Sequence, residues 1–158
     1  MPDQVPPLHP VVGSRDVWEP IAGTFTCDRC GGEACTLTLL PPFARDPQAP
    51  LPGTAGAVPG EGTIFAEAVR LSIDGPVKTT HTFVPGIQVD VAAVEAAVRI
   101  LDPAALFAID REYAPFWCRQ CEKSYCRDCW VVWVDYDEGF YDCTRGRCPE
   151  GHERIMDD

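Results

Sequence analysis

The sequence predicts a small α+β domain: a β-hairpin and one or two helices, stapled together by paired cysteines. Three observations carry this expectation. Val69, Leu71 and Ile73 alternate with Arg70 and Ser72, Asp74-Gly75 offers a turn, and Val77 to Val84 returns, which is the period-two pattern of a hairpin. Asp90 is a favourable N-cap, and Val91, Val94, Val98 and Leu101 follow it at helical spacing. Nine cysteines stand in 158 residues, six of them in Cys-x-x-Cys pairs.

Residues 1–20 hold five prolines and read as an extended arm, with Trp18 and Ile21 tying its end to the body. Residues 21–158 read as one metal-stapled domain. Thr36-Leu37-Thr38-Leu39-Leu40 is a short β-prone run. Residues 41–62 contain ten Pro or Gly in 22 positions and read as a loop dispensable for folding. After the hairpin and the helix from Asp90, Asp102-Pro103 starts a second short helix, since Asp caps and Pro suits the first helical position. Its Leu106 and Ile109 face inward. From Tyr113 the texture changes: nine of the 15 aromatic residues lie between Tyr113 and Tyr141, interleaved with cysteines, which makes 113–158 an aromatic-rich knuckle region.

The pairs are Cys27/Cys30, Cys118/Cys121 and Cys126/Cys129, and Cys148-Pro149-Glu150-Gly151-His152 adds a fourth knuckle. Two intervening residues let the chain turn so that both sulfurs face one ion, with turn N–H groups donating to the thiolates. Zinc takes four such ligands in a tetrahedron, so two knuckles close one structural site and four close two. The start Met1-Pro2-Asp3-Gln4-Val5-Pro6-Pro7 has neither a basic start nor an apolar run, and no stretch approaches the length of a membrane span. A cytosolic location follows as an expectation. Thiols stay reduced there, so clustered cysteines are metal ligands before they are disulfides. Eleven Arg against two Lys, among many Ala, Pro and Gly, point to a GC-rich bacterial source.

The run Cys118-x2-Cys121-x4-Cys126-x2-Cys129 resembles the middle of the in-between-RING (IBR, RING2-like) zinc module. In that family the first pair of the run joins an N-terminal pair and the second a C-terminal pair. The resemblance therefore implies one ion on Cys27, Cys30, Cys118 and Cys121, and a second on Cys126, Cys129, Cys148 and His152. A zinc-ribbon, treble-type arrangement is the rival: it joins Cys118/Cys121 to Cys148/His152, and Cys27/Cys30 to Cys126/Cys129.

Cys35 and Cys143 are left over. Cys35 reads as a small apolar residue beside the Leu37 strand. Cys143 could replace Cys148 as a ligand, or serve as a nucleophile activated by Arg145 and Arg147. His81 reads as a strand-surface residue. Trp117, Trp130, Trp133, Tyr136, Phe140 and Tyr141 could form a stacking platform for nucleic acid, but in so small a core they read first as packing around the metals. Asp135-Tyr136-Asp137-Glu138-Gly139 reads as a solvated turn between strands.

Asp and Glu number 24 against 13 Lys and Arg, a formal net charge of −11. Bound thiolates make the total more negative still. This argues against a phosphate-backbone binder and for a protein partner. The leading expectation is a non-enzymatic protein with two structural zinc ions, mediating protein–protein contacts in a bacterial cytosolic complex. The alternatives are a ubiquitin-like transfer enzyme using Cys143 or Cys35, and a nucleic-acid-binding zinc module.

Overall fold

The computed structural model describes residues 19–41, 68–84 and 89–158. The arm expected over 1–20 falls almost entirely outside these residues, as does the loop expected over 41–62. The described chain is mostly β-sheet with two helices, an α+β arrangement.

Strands β1 (Ile21–Thr26), β2 (Glu33–Leu40), β3 (Val69–Asp74) and β4 (Lys78–Phe83) form an antiparallel meander in the order β1-β2-β3-β4. The hairpin of β3 and β4 and the strand through Leu37 lie where the alternation puts them, with Leu71 opposite His81 and Leu39 opposite Leu71. The turn differs: three residues, Gly75 to Val77, separate the paired Asp74 and Lys78.

Strand β1 has no counterpart among the sequence expectations. Its period-two burial is plain in the structure, but Ala22 and Gly23 interrupt the β-branched and aromatic residues that mark a strand. Gly23 faces the first helix, where an added Cβ would stand 2.7 Å from the Val98 carbonyl oxygen. The missing side chain lets helix and sheet close on each other.

Helix α1 (Val91–Arg99) is capped by Asp90, whose side chain accepts from the N–H groups of Ala92 and Ala93 at 3.0 and 3.3 Å. Val94 and Val98 are fully buried. Leu101, expected on the same face, is half-exposed. The helix ends before it: Leu101 takes a φ of 55°, its N–H reaches the Val98 carbonyl, and the Asp102 N–H reaches Ala97 at 2.9 Å. This is a Schellman ending with leucine where glycine is usual. Helix α2 (Pro103–Ile109) follows, capped by Asp102, with Leu106 fully buried.

A one-turn helix at Arg111–Tyr113 then delivers the chain under the first sheet. Tyr113 packs on His81 with ring centroids 5.1 Å apart, and Phe116 packs on Phe25 at 4.5 Å. His81 is therefore not a surface residue: it lies half-buried on the inward face of β4. Strands β5 (Trp117–Cys118) and β6 (Lys123–Ser124) make a short hairpin. Strands β7 (Val131–Asp137), β8 (Phe140–Arg147) and β9 (Glu153–Asp157) form a second antiparallel sheet in that order. The solvated turn expected over 135–139 is shorter: Asp135, Tyr136 and Asp137 belong to β7, and only Glu138 and Gly139 separate the strands. Its two central residues, Glu138 and Gly139, both have positive φ, which suits the right-handed strand twist of a two-residue hairpin.

One continuous buried cluster runs from Leu37, Leu71 and Ile73 of the first sheet, through Val98, Leu106 and Phe116, to Tyr125, Trp130 and Met156. Five of the cysteines, Cys27, Cys35, Cys118, Cys126 and Cys148, belong to it. Among the described helices none is long and apolar enough to cross a membrane.

Candidate metal centres

Each knuckle sits where a hairpin or loop turns. The first follows β1: the Cys27 N–H bonds to the Gly32 carbonyl at 2.7 Å, and the Gly31 N–H to Cys27 at 2.9 Å. The second occupies the β5–β6 turn. The third precedes β7, where the N–H groups of Cys129 and Trp130 both reach the Cys126 carbonyl. The fourth joins β8 to β9, with the Cys148 N–H on the His152 carbonyl at 2.9 Å.

These turns bring the eight residues into two groups: Cys27, Cys30, Cys126 and Cys129 in one, and Cys118, Cys121, Cys148 and His152 in the other. In the first, Cys27 Sγ lies 3.7 Å from Cys129 Sγ and Cys30 Sγ 3.6 Å from Cys126 Sγ. In the second, Cys121 Sγ lies 3.6 Å from Cys148 Sγ, and His152 Nδ1 stands 3.7, 3.1 and 3.6 Å from the sulfurs of Cys118, Cys121 and Cys148. These spacings are far beyond a sulfur–sulfur bond of about 2.05 Å. They match the edge of a tetrahedron whose centre lies about 2.3 Å from each sulfur, an edge of about 3.8 Å. Each group has the donor number, donor type and spacing to hold one metal ion.

The pairing carried over from the in-between-RING resemblance is thereby corrected. Cys118 and Cys121 do not meet Cys27 and Cys30, and Cys126 and Cys129 do not meet Cys148 and His152. The geometry assembles the rival pairing, which is crossed: the ligands of the two groups alternate along the chain. A clamp outside the two groups accompanies this arrangement. Ser124 donates its N–H to Asp28 Oδ2 at 2.6 Å, and Asp28 returns its own N–H to the Ser124 carbonyl at 2.8 Å. The first knuckle is thus held against the end of β6, and Cys126, two residues further on, falls beside it.

The pull of the turns on the thiols is uneven. Burial raises Cys27, but N–H donors at Cys30, Cys126 and Arg29 outweigh it and bring the thiol down to about 6. Burial likewise opposes ionisation of Cys148, and donors at His152 and Glu150 overcome it, so its pKa falls below the usual thiol value. Burial pushes Cys121 up to about 11 and Cys129 up to about 12. Each group therefore pairs an easily ionised thiol with a reluctant one. A cation bound by either group would draw the proton from its reluctant member, coupling metal binding to proton release.

Three supporting residues carry no sequence signal. Asp28 is one. Tyr125 is a second: its buried hydroxyl has no nitrogen or oxygen partner and lies beside the sulfurs of Cys121 and Cys148. Arg154 is the third. Its guanidinium donates to the carbonyls of Trp117, Ala114 and Arg111 at 2.7, 2.8 and 2.6 Å and packs over Phe107. It locks β9, and with it His152, to the strand that carries Cys118.

The spare cysteines belong to neither group. Cys35 is fully buried in β2, and burial drives its thiol far above the usual range. Cys143 is buried in β8; burial and the adjacent Asp142 raise its thiol although Arg145 opposes them. Arg145 is itself paired to Asp135 at 2.6 Å. Neither thiol has the lowered pKa that a nucleophile needs. The aromatic residues divide. Trp117 and Trp130 are core, the latter with its indole N–H on the Phe116 carbonyl at 3.2 Å, whereas Tyr136, Phe140 and Tyr141 are exposed and do not pack around a metal group.

The family described as a domain of unknown function, DUF8328, has a model that matches residues 19–158, and the chain belongs to it. No curated protein and no solved structure matches the chain.

Proposed function

We propose that this is a non-catalytic zinc protein in which two structural zinc ions hold a small protein-docking domain together in the cytosol. The crossed pair of four-ligand groups carries the reading. Thiolate and imidazole donors at tetrahedral spacing favour zinc over harder cations. Four protein ligands fill the tetrahedron, so neither ion keeps the open position at which catalytic zinc binds water or substrate. The raised thiols of Cys35 and Cys143 speak against a transfer enzyme. A formal charge of −11 speaks against a nucleic-acid module and for contact with another protein.

Metal analysis tests the reading. Gently purified protein should carry two zinc ions per chain, with Cys126→Ser and Cys148→Ser each losing one. A content near zero or one in the unaltered chain, or iron in place of zinc, overturns it.

A further inference from the structure

We propose that the free edge of β7, with the tip of the β7–β8 hairpin, docks a basic, extended segment of a partner protein, which adds to the second sheet as a fourth strand. The proposal rests on the protein-docking role above and names its surface and its partner's chemistry.

Strand β7 pairs with β8 on one side and with no described strand on the other. A seven-residue edge therefore offers unpaired N–H and C=O groups. Proteins usually blunt such an edge with lysine, proline or a covering element. Val131-Val132-Trp133-Val134-Asp135-Tyr136-Asp137 contains neither lysine nor proline, and its one register irregularity lies at the distal end, between Asp135 and Tyr136. Val131 is 61% exposed, Tyr136 69% and Phe140 77%, and Val132 and Val134 are exposed as well. An apolar, open edge of this kind is the template used in strand addition.

Charge selects the occupant. Asp135 is neutralised by Arg145, and Glu153 by Arg147. Asp137, Glu138 and Asp142 at the tip are exposed and form no ion pair with a described residue. A second copy of the chain would bring the same three carboxylates and another net −11 to the contact. A lysine- or arginine-bearing strand would meet these carboxylates, and its cations could rest on the rings of Tyr136 and Phe140.

The test uses the zinc-loaded full chain and a labelled peptide that alternates lysine with valine, against a glutamate–valine counterpart. The lysine peptide should bind, more weakly as salt rises, and should slow amide exchange along β7. The double change Asp137→Lys with Glu138→Lys should weaken it roughly tenfold or more, since the charges are in direct contact. Tyr136→Ser with Phe140→Ser should also weaken it, while Asp74→Lys on the other sheet should have little effect. Zinc content and melting temperature report folding in each variant. Equal binding of both peptides, unchanged β7 exchange, or a salt-resistant dimer that occupies the β7 edge would overturn the docking site. A preparation lacking its two zinc ions would instead overturn the function proposed above, so the two failures are distinguishable.

Discussion

At the scale of single residues, the candidate ligands matter less for what they are than for what aims them. Asp28 is exposed and is not a ligand, yet its carboxylate holds the Ser124 N–H that places Cys126 next to Cys27. Asp28→Ala should weaken zinc binding at the first group by roughly 10–100-fold, the usual effect of losing an outer-shell partner, and leave the second group unchanged. Competition with a chromophoric chelator, read site by site in Cys148→Ser and Cys126→Ser backgrounds, measures this. Cys143→Ser should keep both ions, because Cys143 belongs to neither group. Cys35→Ser should also keep both but lower stability by about 1–3 kcal/mol, since it buries a hydroxyl in a fully enclosed position. Loss of one zinc from Cys143→Ser would return that residue to the ligand set.

The elements show how closely backbone approach and side-chain anchoring determine the architecture. Gly23 lets α1 settle on β1, and Gly23→Ala forces the Val98 carbonyl and Leu101 side chain to move. We expect a loss of about 1–3 kcal/mol by chemical denaturation, the usual range for overpacking, with zinc content preserved. At the other end of the core, Arg154 satisfies three backbone carbonyls with one guanidinium. Its burial drops its pKa to about 10, so it stays charged at neutral pH. Arg154→Met keeps the bulk over Phe107 but strands the carbonyls. The expected cost is roughly 2–4 kcal/mol, the scale of hydrogen bonds to a charged donor. Lysine should rescue little, because a point charge cannot reproduce the planar fork.

For the whole molecule, two structural zinc ions as proposed above would make metal and fold one equilibrium. The first group joins sulfurs 96 and 102 residues apart, and the second spans up to 34, with the two closures interleaved. Chelation should therefore abolish the cooperative melting transition rather than merely shift it, as followed by near-ultraviolet dichroism. Electrostatics adds a pH signature from a carboxyl outside the two candidate groups. Burial, followed by the hydrogen bond to Asp158 and the charges of Asp110, Asp158 and Asp157, raises Glu112 to about 7. A carboxyl raised on folding favours the folded state below its unfolded pKa, and that advantage is lost as pH rises through the folded value. Glu112→Gln should thus leave the melting temperature unchanged near pH 4.5 and raise it increasingly toward pH 7 and above. Glu112 is only partly buried, so solvent screening limits the gain to about 1 kcal/mol.

The members of the two candidate groups were legible in the linear order of residues because knuckle chemistry is local: Cys-x-x-Cys and Cys-x3-His spacings let two donors turn toward one point. The β3–β4 hairpin and the two helices were legible for the same reason, through alternation, helical spacing and the Asp90 and Asp102 caps. Strand β1 was hidden because its inward Gly23 is small so that α1 can approach, and closeness of approach is a tertiary demand. Leu101 left the helical face because the chain had to turn into Asp102. The ligand pairing was decided only in three dimensions. Spacing says that two knuckles share an ion and cannot say which two. A hydrogen-bonded clamp between Asp28 and Ser124, residues 96 apart, holds the first knuckle beside the segment that carries Cys126. The exposure of Tyr136 and Phe140 was likewise a tertiary outcome. An aromatic residue in a strand carries no mark of whether its face meets a core or solvent until the neighbouring strands are placed, and here β7 was left at an edge.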